Sequence, residues 1–114
     1  YTPHESVAFS IPTITTTLAG FGVWAKKNGN VENGLSDGVQ VIRRDDSNHM
    51  EVAEEIAVSL YDFTLKSIDQ GNLLKKRAAE LSDRADWSHF IIHYQEAYSK
   101  ALQNSFIRLS RPAR

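Results

Sequence analysis

A run of β-branched residues, Thr13-Ile-Thr-Thr-Thr17, stands between Pro12 and the pair Gly20 and Gly22. It constrains the fold more than any other stretch. Threonine and isoleucine lose side-chain freedom in a helix and fit well on a pleated strand. The run therefore predicts an extended segment over Thr13–Thr17, and Pro12 stops whatever helix precedes it. Upstream, Pro3 has the fixed φ and missing donor that suit a first helical turn. Glu5 stands where a helix amino end favours negative charge, and Ser6 to Ile11 predicts a short apolar helix. Gly20 and Gly22 predict a tight turn, or a close approach of backbone to a ligand. Tyr1–Trp24 thus reads as turn, helix, strand and Gly-rich turn. A strand end meeting a helix amino end is where open α/β sheets bind phosphate-bearing ligands.

Further on, Val23–Lys27 predicts a helical turn or two, and Asn28-Gly-Asn30 and Glu32-Asn-Gly34 are turn signals. Val39-Gln-Val-Ile-Arg43 alternates as a second strand, covered on one face and partly on the other. Asn48 followed by Glu51 resembles a capping box, opening a helix over His49–Lys66. Its stripe of Val52, Ile56, Leu60 and Phe63 predicts one buried face. Ser67–Gly71 breaks the pattern, and a helix over Asn72–Arg84 carries Leu73, Leu74, Ala78 and Leu81 on one side. Asp86 is the expected cap of a last helix over Trp87–Ser105, with an expected frayed basic tail from Arg108 to Arg114 that holds Pro112. The expected fold class is α/β, with two parallel strands followed by a three-helix segment. Residues 1–46 form the expected ligand-binding part and 47–114 the helical part. Two parallel strands do not make a covered sheet alone, and the chain opens at Tyr1 with Met50 as its only methionine. A piece of a longer protein is the expectation.

The net charge of −1 gives no footprint for nucleic acid or for a membrane surface. No apolar run approaches the roughly 20 residues that span a bilayer. Zero cysteines exclude thiol chemistry and disulfides and fit a reducing compartment, so a cytoplasmic location is expected. His89 and His93 share a helix face at i, i+4, but Phe90 stands where zinc proteases place a glutamate. His4 and His49 have no partner at ligand spacing. No metal site is expected, and no cofactor.

Tyr1-Thr-Pro-His-Glu5, Pro12-Thr-Ile-Thr-Thr16 and Gly20-Phe-Gly22 together resemble the signature of the glycogen synthases of animals, fungi and their bacterial relatives. Far downstream, Arg77, Leu81-Ser82 and Asp86-Trp87 match the family's Arg-x-x-x-x-Leu-Ser-x-x-x-Asp-Trp, with Tyr94, Ala97 and Ala101-Leu102 in matching places. The resemblance covers Tyr1–Phe106. It implies the C-terminal portion of a retaining glucosyltransferase built from two Rossmann-like domains, the GT-B arrangement. Glu5 matches the second glutamate of Glu-Pro-Trp-Gly-Tyr-Thr-Pro-x-Glu, which implies a hydrogen bond to the donor ribose. The resemblance further implies that Tyr1 and Thr2 lie near the donor phosphates, and that Gly20 and Gly22 help through their amides. Ala19 stands where relatives carry serine, so only a backbone role is carried over there. Gly71, Asn72, Leu73 and Leu74 replace several arginines that bind glucose 6-phosphate in eukaryotic relatives. Lys75, Lys76 and Arg77 therefore read as a solvated basic face.

The implied reaction moves glucose from UDP-glucose or ADP-glucose to an α-1,4-glucan with retention. In the family the basic residues facing the diphosphate come from other segments. No catalytic residue is expected within this chain, and it should be inactive alone. Two other readings stay open: a phosphorylase-type or degenerate sugar-nucleotide-binding relative, and a helical interaction module without a ligand. An unpaired strand edge and apolar surface lead to an expectation of self-association.

Overall fold

The threonine run and the alternating residues after Gly38 form strands β1 (Thr13–Thr16) and β2 (Val39–Ile42) of the computed structural model, which describes residues 1–110. They pair in parallel, from Thr13 opposite Val39 to Thr16 opposite Ile42. The helices are α1 (Thr2–Ala8), α2 (Gly20–Asn28), α3 (His49–Thr64), α4 (Ile68–Arg84) and α5 (Trp87–Leu109). The arrangement is mixed α/β with two parallel strands, as the sequence predicts. The chain forms two compact units, one of Tyr1–Arg84 and one from Ala85 onward.

In the first unit, one sheet face presents Val39 and Val41 to the core made with Val7, Ala25, Val31, Ala78 and Leu81. Those residues come from α1, α2, α4 and the loop before β2. Each fully buried valine contributes roughly 1.5–3 kcal/mol. Gly38, at φ 76°, lies under α4, where a Cβ would meet the Leu74 carbonyl and the Ala78 amide. Arg77 and Arg84 extend from α4 and donate to the carbonyls of Ser36 and Asn28. Arg77 is thus half-buried and tied to a loop, and departs from the solvated face expected of it.

On the other sheet face Gln40 donates to Glu55 of α3 at 3.3 Å. All four β2 residues are buried, which corrects the expectation of partial cover. The stripe on α3 departs in the opposite direction. Val52 is buried, but Leu60 is 53% exposed. A two-stranded sheet is too narrow to cover the later turns of α3. There Ile56, Leu60 and Phe63 face Pro12, Ile14 and Leu35 across an apolar groove of about 270 Å³.

Several helix ends fall elsewhere than predicted, each for a local reason. Helix α1 begins at Thr2 with proline in its first turn and ends at Ala8, not Ile11. The Ile11 amide donates to Ser6 and the Ser10 amide to Val7, the paired bonds of a Schellman ending. Ser10 takes the left-handed position at φ 60°, where glycine is the usual occupant. The Gly-rich turn proves to be the first turn of α2, which starts at Gly20. Helix α4 starts at Ile68 rather than Asn72, because Ser67 and Gln70 exchange side-chain to backbone bonds of 2.9 and 3.2 Å. This is a capping box in the stretch that reads as a breaker. Asn48 does not cap α3. Its amide turns back to the Arg43 carbonyl and the Asp45 amide.

In the second unit, Asp86 caps α5 as expected, accepting from the Ser88 amide at 2.8 Å. The helix continues to Leu109, past the predicted end and into the tail expected to fray; Pro112 lies outside the described residues. Trp87 and Tyr94 lie 4.9 Å apart along it. No described helix is long and apolar enough to cross a membrane.

Two predictions follow from these ends. Ser10→Gly relieves the left-handed serine and raises stability by about 1 kcal/mol, read by urea denaturation. The Asp86 carboxyl is held below the usual carboxylate range by its bonds to Ser88. A depressed folded value contributes stability above the unfolded pKa, and that contribution is lost as pH falls through the lower folded one. Hydrogen-exchange protection of the Ser88 amide should be flat above about pH 5 and weaken below about pH 4. Asp86→Asn keeps an acceptor and flattens that dependence.

Candidate functional site

The first turns of α1 and α2 touch through one ring pair, His4 and Phe21. Tyr1 is the N-cap of α1, fully exposed, and its carbonyl accepts the Glu5 amide at 3.0 Å. Thr2 is exposed, and its carbonyl accepts the Ser6 hydroxyl at 3.0 Å. Glu5 is the one acidic residue in the first turn of α1 and is exposed to solvent. Its carboxylate has no hydrogen-bond or ion-pair partner among the described residues. Pro3 carries no N–H, so the orphan donors of this helix end are reduced by one.

Helix α2 follows the carboxyl end of β1 after a three-residue link, Thr17-Leu-Ala19. No side chain among the described residues caps its amino end. Its first-turn amides have no intrahelical acceptor, and the helix dipole adds partial positive charge there. The two glycines of this turn have different surroundings. A Cβ on Gly20 would meet nothing within 4 Å. A Cβ on Gly22 would collide with the Thr16 carbonyl and come within 3.3 Å of Val41. Gly22 is therefore required where α2 crosses β1, whatever its amide binds. Lys26 and Lys27 occupy the last turn, where cations suit the dipole.

The structure joins the two halves through His4 and Phe21, whose rings stack at 5.7 Å with 15° between planes. Tyr1, Thr2 and Glu5 on α1 and Gly20 and Gly22 on α2 are thereby brought to neighbouring helix ends. The stack lies outside the sequence reading, which found no partner for His4. Its two residues are far apart in the chain, and no periodicity connects them.

A polar clamp sits where β1 and β2 end. The Thr17 hydroxyl accepts the Arg44 amide at 3.0 Å, and the Thr17 amide continues the ladder to Ile42. Asn48 accepts from the Asp45 amide at 2.8 Å and from the Arg44 guanidinium at 3.3 Å. Asp45 is held below the usual carboxylate range by hydrogen bonds from Ser47. These bonds fix the strand exits beside the α2 amino end. Among the described residues no three His, Cys, Asp or Glu side chains are grouped to hold a metal ion. His93 instead faces Glu96 at 3.8 Å on exposed α5 surface. The assembled groups are backbone donors, a carboxylate acceptor and hydroxyls. They can bind an anion together with a neighbouring hydroxyl group.

A family model described as Glycogen synthase matches residues 1–111. The chain is 29% identical over 106 residues to the glycogen [starch] synthase of Neurospora crassa, covering 93% of this chain and 15% of that protein. It is 32% identical over 103 residues to the glycogen [starch] synthase of Caenorhabditis elegans, covering 90% and 15%. To glycogen [starch] synthase isoform 1 of Saccharomyces cerevisiae it is 26% identical over 106 residues, covering 93% and 15%. The chain thus spans about 15% of the length of these curated relatives.

Substitution of the two glycines separates packing from open space. Gly22→Ala should cost about 2 kcal/mol or more by forcing α2 away from β1. Gly20→Ala should lie between neutral and roughly 1 kcal/mol stabilising. Thermal unfolding of both variants checks the contrast.

Proposed function

This chain belongs to the glycogen synthase family, and from that premise we propose that it forms one wall of the donor site of a glucosyltransferase. The parent enzyme transfers glucose from a nucleotide-glucose, UDP- or ADP-linked, to the non-reducing end of an α-1,4-glucan with retention. The observation that carries this reading is the meeting of the α1 and α2 amino ends within a chain of this family.

In the proposed site Glu5 accepts from the donor ribose, and Tyr1 and Thr2 lie against the diphosphate with the α2 amides at Gly20 and Gly22. Free first-turn amides and a helix dipole suit a diphosphate. An exposed carboxylate one turn into α1 suits a sugar hydroxyl, because hydrogen bonds to a charged acceptor are the stronger kind. The work of such a wall is to hold the donor and to stabilise charge on the leaving diphosphate. Residues 1–46 carry that role, and residues 47–114 are the helical part. The parent domain has the GT-B arrangement, and further strands extend the two-stranded sheet, since parallel sheets are normally larger and covered on both faces. The groove beside Ile14 and Phe63 is apolar surface of the kind a completed domain covers. The chain by itself lacks the other wall and is inactive.

The test is transfer of radiolabelled glucose to glycogen by the full-length protein, offered UDP-glucose and ADP-glucose in parallel. Transfer from one donor is expected, and Glu5→Ala should lower kcat/KM for that donor roughly ten- to a hundred-fold. A folded full-length protein that transfers from neither donor overturns the proposal.

A further inference from the structure

The stack between His4 and Phe21 has a consequence for how the two helix ends are held. Helix α2 is fixed at its start, because Gly22 lies directly against the Thr16 carbonyl of β1. Helix α1 packs on α4 and β1, and its first turn reaches α2 through one ring pair. It has seven residues, no side-chain cap among the described residues, and a serine in the left-handed position at its end. Its one buried residue is Val7, which enters the core at 0% exposure.

Val7 sets the depth of this short helix, and its seat on α4 and β1 holds its body. Residues 4 and 7 lie on the same helix face, one turn apart. His4 therefore supplies a second point of attachment on the Val7 face, nearer the amino end. Its ring is half-buried and nearly parallel to that of Phe21, which in turn meets Trp24 at 5.7 Å. Glu5 is the next residue, about 100° further round the helix. Any shift of the first turn of α1 carries the Glu5 carboxylate sideways relative to the α2 amides.

We propose that His4 is a positioning residue of the donor site, its flat ring on Phe21 setting where Glu5 stands relative to the amino end of α2. A nucleotide-sugar presents ribose and diphosphate at a fixed separation, so the two helix ends must keep one spacing to meet both. This rests on the donor-site reading above. The ring acts through its shape, so phenylalanine can replace it and alanine cannot.

The experiment measures donor and glucan kinetics of the full-length protein carrying His4→Ala, His4→Phe or Glu5→Ala, with thermal unfolding in parallel. His4→Ala should raise the donor KM about three- to ten-fold, the range expected from losing one aromatic pair. Its kcat, its glucan KM and its unfolding midpoint should change little, and His4→Phe should return the donor KM to within about twofold of wild type. A wild-type donor KM in His4→Ala, with Glu5→Ala impaired, overturns this inference alone. Equal losses in His4→Ala and His4→Phe overturn it in favour of a direct imidazole contact. Parallel losses in donor KM, glucan KM and unfolding midpoint overturn it in favour of a general structural role. An unaffected donor kcat/KM in Glu5→Ala overturns the donor-site reading itself.

Discussion

The first unit depends on two places where a helix touches the sheet region without a Cβ between them. Gly22 brings the first turn of α2 onto the β1 backbone, and Gly38 lets α4 cross the entrance to β2. Side chains at either place would overlap backbone atoms, which cannot move aside as the end of a flexible side chain can. The valine and alanine core follows from this closeness. Val39, Val41, Ala25 and Ala78 are small residues, and they fill the space because the helices stand so near. Larger core residues would demand a wider separation, and α2 would then no longer begin at the end of β1.

The same closeness fixes the polar arrangement at the strand exits. With α2 held down at Gly22, the link from Thr17 to Ala19 is short, and the Thr17 hydroxyl reaches the Arg44 backbone. Asn48 completes the clamp from the other side by serving the Arg43 carbonyl and the Asp45 amide. Backbone groups leaving a sheet must find partners, and here two side chains supply several of them. The opposite sheet face is less complete. Gln40 is 2% exposed and donates to Glu55 at 3.3 Å, while its Oε1 has no partner among the described residues. A buried unsatisfied carbonyl costs about 1–3 kcal/mol. It lies on the same sheet face as the groove along α3.

Much of this was legible in the sequence because it is local. The threonine run, the alternation after Gly38, and Asp86 before an apolar helix each state their structure within a few residues. The helix ends were less legible where two local rules compete. Ser67 and Gln70 form a capping box, yet Gly71 beside them reads as a breaker. Asn48 and Glu51 have capping-box spacing, but the strand exit takes the asparagine side chain instead. Gly20 and Gly22 suit a turn or a helix start equally well, and only the packing of α2 on Thr16 decides. In the candidate site, Tyr1, Thr2 and Glu5 could be placed on a helix amino end from Pro3 alone. The contact that joins them to α2 could not be placed, since the pairing of His4 with Phe21 exists only once both helices rest on the sheet.

The proposed donor site puts little demand on side-chain identity. Helix amides and dipoles come with any sequence that starts a helix at the right place, so the requirements reduce to a proline or cap, a glycine where backbone meets backbone, and a single acceptor. That is consistent with 26–32% identity to relatives across nearly the whole chain. Position 4 is then a place where a side chain can act without altering the chemistry of the site. A flat ring there ties α1 to α2 and leaves the proline, the glycines and the acceptor as they were.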